Sequence, residues 1–327
     1  MSDLEENPNQ EEEKEPEEHN EYAENRTSVH NVYPLLSPVA AAALGLIGGF
    51  FLYQFVGGLL TLIIFGFDIE GAPADSLRLM TMAGQILFIL LPALLFSKWI
   101  YGDVSDIISL KVPNWVELFI FSAGILILTP LLQTYMFIQN FLIEQLASNY
   151  NFVNTIKSFF DSLNALVEKT YGNLLKADSI IELLLVVLVI AAVPAVCEEV
   201  MFRGYIQKSL GFKLKPFWAA LVTAIFFGFY HFNPYGLLPL ICLGLYFGFA
   251  AYISDSLVVP IFLHFLNNFS AVLLFYIIGD DQLVNSDITG SEELGSNIFL
   301  FVTLAILFTI IIIVIKKYYL KFKTVQE

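Results

Sequence analysis

The chain has 327 residues, of which 57% are hydrophobic and only 14% charged, with a formal net charge of −15 and a mean hydropathy of +0.70. A soluble globular domain carries about a quarter charged residues. Here the apolar residues also fall in blocks reaching the roughly 20 needed to cross a bilayer, so the composition predicts an all-α polytopic membrane protein and excludes an ordinary soluble fold.

Residues 1–30 hold Asp3 and ten glutamates against Lys14 and Arg26, nine of the fifteen net negative charges. Such a segment buries too little apolar surface to fold, and we expect a disordered acidic tail. It shows no basic stretch leading into a short apolar core, so no cleavable signal peptide is expected. No nucleic-acid binding is expected either. The acidic excess belongs to this tail rather than to the membrane body.

Eight apolar spans follow: about Pro38–Phe67, Leu77–Trp99, Trp115–Leu142, Ile180–Tyr205, Pro216–Phe232, Tyr235–Ile253, Leu257–Ile278 and Asn297–Ile315. Ile107–Val112 is too short to cross. Residues 143–178 place Phe152, Ile156, Phe159, Phe160, Leu163 and Leu166 at helical spacing, which predicts an amphipathic connector on the membrane surface. Gly244 and Gly248 predict close helix packing. Cys197 and Cys242 fit neither a disulfide framework nor a zinc knuckle and are expected to be small buried hydrophobes.

Lysines set the orientation. Lys316, Lys317, Lys321 and Lys323 follow the last span, and Lys208, Lys213 and Lys215 follow the fourth. The loop at 279–296 and the loop between spans one and two carry no basic residue. With eight spans, both termini lie in the cytoplasm, and the plasma membrane is the expected location.

Ionisable groups inside such spans are costly and therefore candidates for function. Three sets stand out: Glu198, Glu199 and Arg203 in AVPAVCEEVMFRGY; His231 in FFGFYHFNP; and His264 with Asn268 in HFLNN. Glu199 and Arg203 are four residues apart in the favourable order and can neutralise each other. Glu198, about 100° around the helix, is left for partners on other helices. Pro194 is expected to loosen the helix just before it. His264 and Asn268 project together, as an oxyanion-holding pair or as part of a metal-ligand set. Counting along ideal helices from the cytoplasmic ends puts Glu198, His231 and His264 at depths of ~16, ~22 and ~10 Å, which permits a meeting without requiring one. A base carboxylate, two imidazoles and an amide suit attack of water on a peptide carbonyl. Neither a G-x-S-x-G elbow nor an H-E-x-x-H motif is present. Hydrolysis with or without metal, and proton-coupled transport, both stay open on these residues alone.

E-E-x-x-x-R, F-x-x-x-H (Phe227 to His231) and H-x-x-x-N, in that order on successive apolar segments, resemble the CPBP family of CAAX prenyl proteases and bacteriocin-processing (Abi) proteins, over about residues 180–275. The resemblance implies an intramembrane endopeptidase acting on a peptide or protein substrate in the lipid bilayer. It implies that Glu198 and His231 activate water, that His264 and Asn268 stabilise the oxyanion, and that Glu199 and Arg203 support them. The family is also described as metalloproteases, so a divalent metal such as zinc, with Glu198, His231 and His264 as candidate ligands, stays beside a metal-free glutamate mechanism. The organisation expected is a tail (1–30), N-terminal spans with the connector (31–179), a CPBP-like core (180–278), then an acidic loop, last span and basic tail (279–327). A catalytically silent immunity or scaffold protein is the further alternative; internal repeats expected of a transporter are not found. The C-terminal TVQE has no CAAX cysteine.

Overall fold

The structure is a computed structural model that describes residues 34–66, 71–105, 107–278 and 291–323. The acidic tail and most of the loop at 279–296 lie outside the described residues.

Among the described residues nine helical stretches carry the fold: α1 Pro38–Phe65, α2 Ala74–Tyr101, α3 Trp115–Asn149, α4 Asn151–Leu175, α5 Ile180–Gly211, α6 Pro216–Tyr230, α7 Leu237–Ser254, α8 Val258–Ile278 and α9 Ser291–Lys323. Among the described residues seven are long and apolar enough to cross a membrane. The fifth expected span, Pro216–Phe232, is the exception: its helix α6 has only 15 residues and ends at Tyr230. This is an integral membrane protein of helical class.

The ends are written in the sequence. Asn114 and Glu117 form a reciprocal capping box at α3, with the Glu117 N–H donating to Asn114 Oδ1 at 2.9 Å and the Asn114 N–H to Glu117 Oε2 at 2.8 Å. Ser179 caps α5 through the Glu182 N–H. Pro216 opens α6 at a position where a missing N–H leaves no bond unmade.

Several spans are not uniform α-helices. Wider, π-type turns occupy Leu44–Gly48 and Phe51–Gly57 in α1, Ile86–Leu90 in α2, and Leu188–Ala192 and Val200–Gln207 in α5. The turn at 188–192 comes just before Pro194, the residue expected to loosen this helix.

Lipid tails provide no hydrophobic drive between helices, so contact rests on close backbone approach and internal hydrogen bonds. α6 and α7 meet through the expected glycines. A Cβ on Gly244 would lie 3.1 Å from Phe227 and 3.2 Å from Ala224; one on Gly248 would lie 2.6 Å from Gln207 Oε1. An apolar cluster of Phe121, Ile125 and Leu128 of α3, Tyr246 and Phe247 of α7 and Leu263 of α8 closes the neighbouring side, and the Tyr246 hydroxyl donates to the Phe121 carbonyl at 2.7 Å.

The connector is the amphipathic helix α4, and its one apolar face is only partly covered. Phe160 and Leu163 line an apolar cavity of about 550 Å³ with residues of α1 and α6, whereas Phe152, Phe159 and Leu166 are exposed. Its C-terminal carbonyls are held: Arg78, itself buried, donates through Nε to Leu174 at 2.9 Å and through Nη2 to Lys176, and the Tyr276 hydroxyl donates to Leu175. Cys197 is buried as expected, but Cys242 is exposed. It sits on α7 facing the open apolar groove between α3, α6 and α9, where a small hydrophobe needs no cover from the protein.

Candidate active site

The site is built on α5, where two adjacent carboxylates point different ways. Glu199 is fully buried, and its Oε1 accepts from Arg203 Nη1 and from His264 Nδ1, each at 2.8 Å. Arg203 Nη2 donates to the Gly244 carbonyl at 2.9 Å, and the guanidinium lies 4.6 Å from the Phe227 ring centroid. The expected pair therefore forms. It also does something the spacing did not indicate: it reaches across to α8 and orients a histidine.

Glu198 faces the other way. Its Oε1 accepts from Gln85 Nε2 of α2 at 3.1 Å. Its Oε2 is buried and has no hydrogen-bond partner among the described residues. Two imidazoles face that oxygen, His231 Nε2 at 3.9 Å and His264 Nε2 at 4.0 Å.

Both rings have their tautomer set from behind. His231 caps the C-terminus of α6, and its Nδ1 lies 2.7 Å from the Phe227 carbonyl. A carbonyl can only accept, so Nδ1 carries the hydrogen and Nε2 of the neutral ring presents a lone pair toward Glu198. His264 Nδ1 likewise carries a hydrogen, which it donates to the Glu199 carboxylate. His264 also stacks on Phe247, centroids 5.2 Å apart. Phe227 packs against both histidines and the arginine, with its ring centroid 4.7 Å from that of His231, 5.9 Å from that of His264 and beneath Arg203. That is a physical reason for an aromatic residue one turn before the histidine. The chain then turns sharply: Phe232 has φ of 48°, a left-handed conformation that costs a non-glycine residue strain.

Asn268 does not join the carboxylate. Its Nδ2 donates to the Ile190 carbonyl at 3.0 Å. Ile190 lies four residues before Pro194, which has no N–H to give it, so the amide bonds a carbonyl that the proline deprives of its α-helical partner. Asn268 Nδ2 has a second hydrogen, and its Oδ1 accepts from Asn267 at 3.2 Å. Of the four expected site residues, Glu198, His231 and His264 thus meet within 4.0 Å, although ideal-helix counting scattered them over ~12 Å of depth. Asn268 sits one turn along α8 from His264.

Gln85 and Tyr53 were missed. Gln85 is a lone polar residue in MAGQILFILL, a signal the same rule about polar groups in spans would have raised. From α4, Tyr171 leans toward the site: the desolvation of its phenol by the surrounding protein, and then the Glu198 carboxylate, raise it above the ordinary value.

Zinc ligands at about 2.0–2.1 Å in tetrahedral array stand about 3.4 Å apart. Glu198 Oε2 stands 3.9 and 4.0 Å from the two imidazole nitrogens, and among the described residues no group of three His, Cys, Asp or Glu side chains is arranged to hold a metal. As placed, the three residues do not fit zinc. A water about 2.8 Å from each atom spans 4.0 Å at an angle near 90°.

The molecule is thus a polytopic helical membrane protein with a carboxylate, two imidazoles and an amide gathered from three helices at its centre. Residues 180–270 match the family model of the type II CAAX prenyl endopeptidases, Rce1-like. The match runs from the start of α5 into α8 and contains all six expected site residues. No curated protein and no solved structure matches the chain.

Proposed function

We propose that the protein is an intramembrane endopeptidase that hydrolyses a peptide bond with water held between Glu198, His231 and His264. The observation that carries this reading is the buried Glu198 Oε2, unpartnered and faced by two imidazole nitrogens at water-bridging distance.

In this reading Glu198 Oε2 takes a proton from the water as its oxygen attacks the scissile carbonyl carbon, with the His231 Nε2 lone pair accepting the water's other hydrogen. The carbonyl π electrons move to oxygen. In the reacting state His264 carries a hydrogen on both ring nitrogens, donating one to Glu199 and the Nε2 one to that oxyanion, and Asn268 offers its second amide hydrogen. The tetrahedral centre then collapses: the C–N bond breaks, the proton on Glu198 passes to the leaving amine, and an acid and an amine result. No step passes through a metal. The substrate class supported by the family match is a prenylated CAAX peptide presented from the bilayer. The lysine pattern supports both termini in the cytoplasm, with the plasma membrane as location.

The test is cleavage of prenylated and unprenylated CAAX peptides by protein purified in detergent, with and without chelator. We expect cleavage by the wild type, none above background by Glu198→Ala, and no effect of chelator. Equal cleavage by wild type and variant would remove Glu198 from the mechanism. A Glu198-dependent ion flux in proteoliposomes without cleavage would favour transport.

A further inference from the structure

The segment that matches the endopeptidase family does not hold its water-activating carboxylate by itself. Among the described residues the hydrogen-bond donor to Glu198 Oε1 is Gln85 Nε2, and it comes from α2, outside residues 180–270. Gln85 is 5% exposed in the middle of an apolar helix, at the last α-helical residue before the wide turn Ile86–Leu90. Its amide orientation is fixed by its surroundings. Nε2 lies between two oxygens, Glu198 Oε1 at 3.1 Å and the Tyr53 hydroxyl of α1 at 3.3 Å, and its two hydrogens serve both. Rotating the amide would set a carbonyl oxygen against a carboxylate.

We propose that Gln85, held by Tyr53, is the positioning residue for Glu198: it binds one carboxylate oxygen so that the other, Oε2, stays free and aimed at the water. A carboxylate has two equivalent oxygens, and a freely rotating one presents either or neither. Fixing Oε1 from α2 selects Oε2 for the side where His231 and His264 converge. Placing the donor on α2 makes the first two helices part of the reaction rather than a membrane anchor for the core. This inference rests on the peptidase reading for its kinetic consequence, but the bond itself can be read without any substrate.

The experiment uses full-length protein in detergent. Gln85→Met keeps the volume and removes the donor. A hydrogen bond to a charged group supports a rate effect between about ten- and a hundredfold, so kcat should fall within that range while KM stays within about twofold, because Gln85 touches Glu198 rather than substrate. Gln85→Glu keeps the shape but sets a second carboxylate against Glu198, and should lower kcat at least as far; it also serves where the methionine variant does not fold. A residue that only packs would lose activity in step with thermal stability, whereas the inference expects kcat to fall with the unfolding midpoint nearly unchanged. In the same preparations, labelling of Glu198 by a hydrophobic carbodiimide, which reacts with the protonated carboxyl, is followed by mass spectrometry. Labelling should rise about tenfold in Gln85→Met, with or without peptide cleavage. Increased labelling in a protein that cleaves nothing keeps the inference and removes the peptidase reading. Wild-type kcat and wild-type labelling in both variants overturn the inference, whatever the wild type cleaves.

Discussion

Replacing Arg203 with methionine is the sharpest test of the packing around the site. Methionine keeps much of the volume but leaves the Glu199 carboxylate, fully buried, with His264 as its one donor among the described residues. Removing one partner of a buried ion pair costs about 3–5 kcal/mol, because the remaining charge has lost its compensation. The lost bond to the Gly244 carbonyl and the lost stacking over Phe227 each add about 1 kcal/mol. The expected destabilisation is thus about 5–7 kcal/mol, and neither side chain is open to solvent that would screen the loss. Reversible unfolding by SDS in mixed micelles, followed by the fluorescence of the three tryptophans, measures it. A Glu199→Gln partner mutation completes a double-mutant cycle. The neutral amide needs no counter-charge, so the double variant should be more stable than Arg203→Met alone, with a coupling of at least about 2 kcal/mol. Arg203→Met within about 1 kcal/mol of wild type would refute the idea that Glu199 is held as a buried charge.

Two further outcomes follow from contacts away from the carboxylates. Gly248→Val should destabilise by about 1–3 kcal/mol in the same unfolding assay, because its Cβ would stand 2.6 Å from Gln207 Oε1 while Gln207 Nε2 is tied to the Gly248 carbonyl at 2.9 Å and cannot retreat freely. At α4, the Tyr235 hydroxyl donates to Asp161 at 2.6 Å. Burial pushes the Asp161 carboxyl up, but the bonds from Tyr235 and Lys157 outweigh it and hold the group below the ordinary aspartate value. A lowered carboxyl stabilises above its unfolded pKa, and that contribution is lost as pH falls through the folded value. Hydrogen exchange over residues 151–178 should therefore stay slow into mildly acid conditions in the wild type and rise at a higher pH in Tyr235→Phe. Identical pH dependence in the two proteins would detach Tyr235 from the anchoring of α4.

Much was legible without coordinates, for identifiable reasons. A span is recognised by its own residues, since each bilayer crossing must satisfy its backbone internally. The Glu199–Arg203 pair follows from helical spacing alone, as does the common face of His264 and Asn268. Pro194 announced a disturbed turn, and the GLYFG glycines announced a close crossing. What spacing could not supply was depth and direction between helices. Glu198, His231 and His264 counted to different depths because ideal rise takes no account of tilt or of the wide turns in α5. The partners of Glu198 Oε1 and of the Ile190 carbonyl lie 113 and 78 residues away in sequence, and no local pattern links them.

By itself, then, the sequence determined the membrane class, the spans and which polar groups had to be answered for, because burial in lipid makes each of those decisions residue by residue. Only the tertiary structure decided which answers were chosen. It gave Glu199 to Arg203 and His264, Glu198 to Gln85 with one oxygen left facing two imidazoles, and Asn268 to the carbonyl opposite Pro194. Those are choices among donors on different helices, and they are fixed by where the packed helices bring the groups within hydrogen-bond reach.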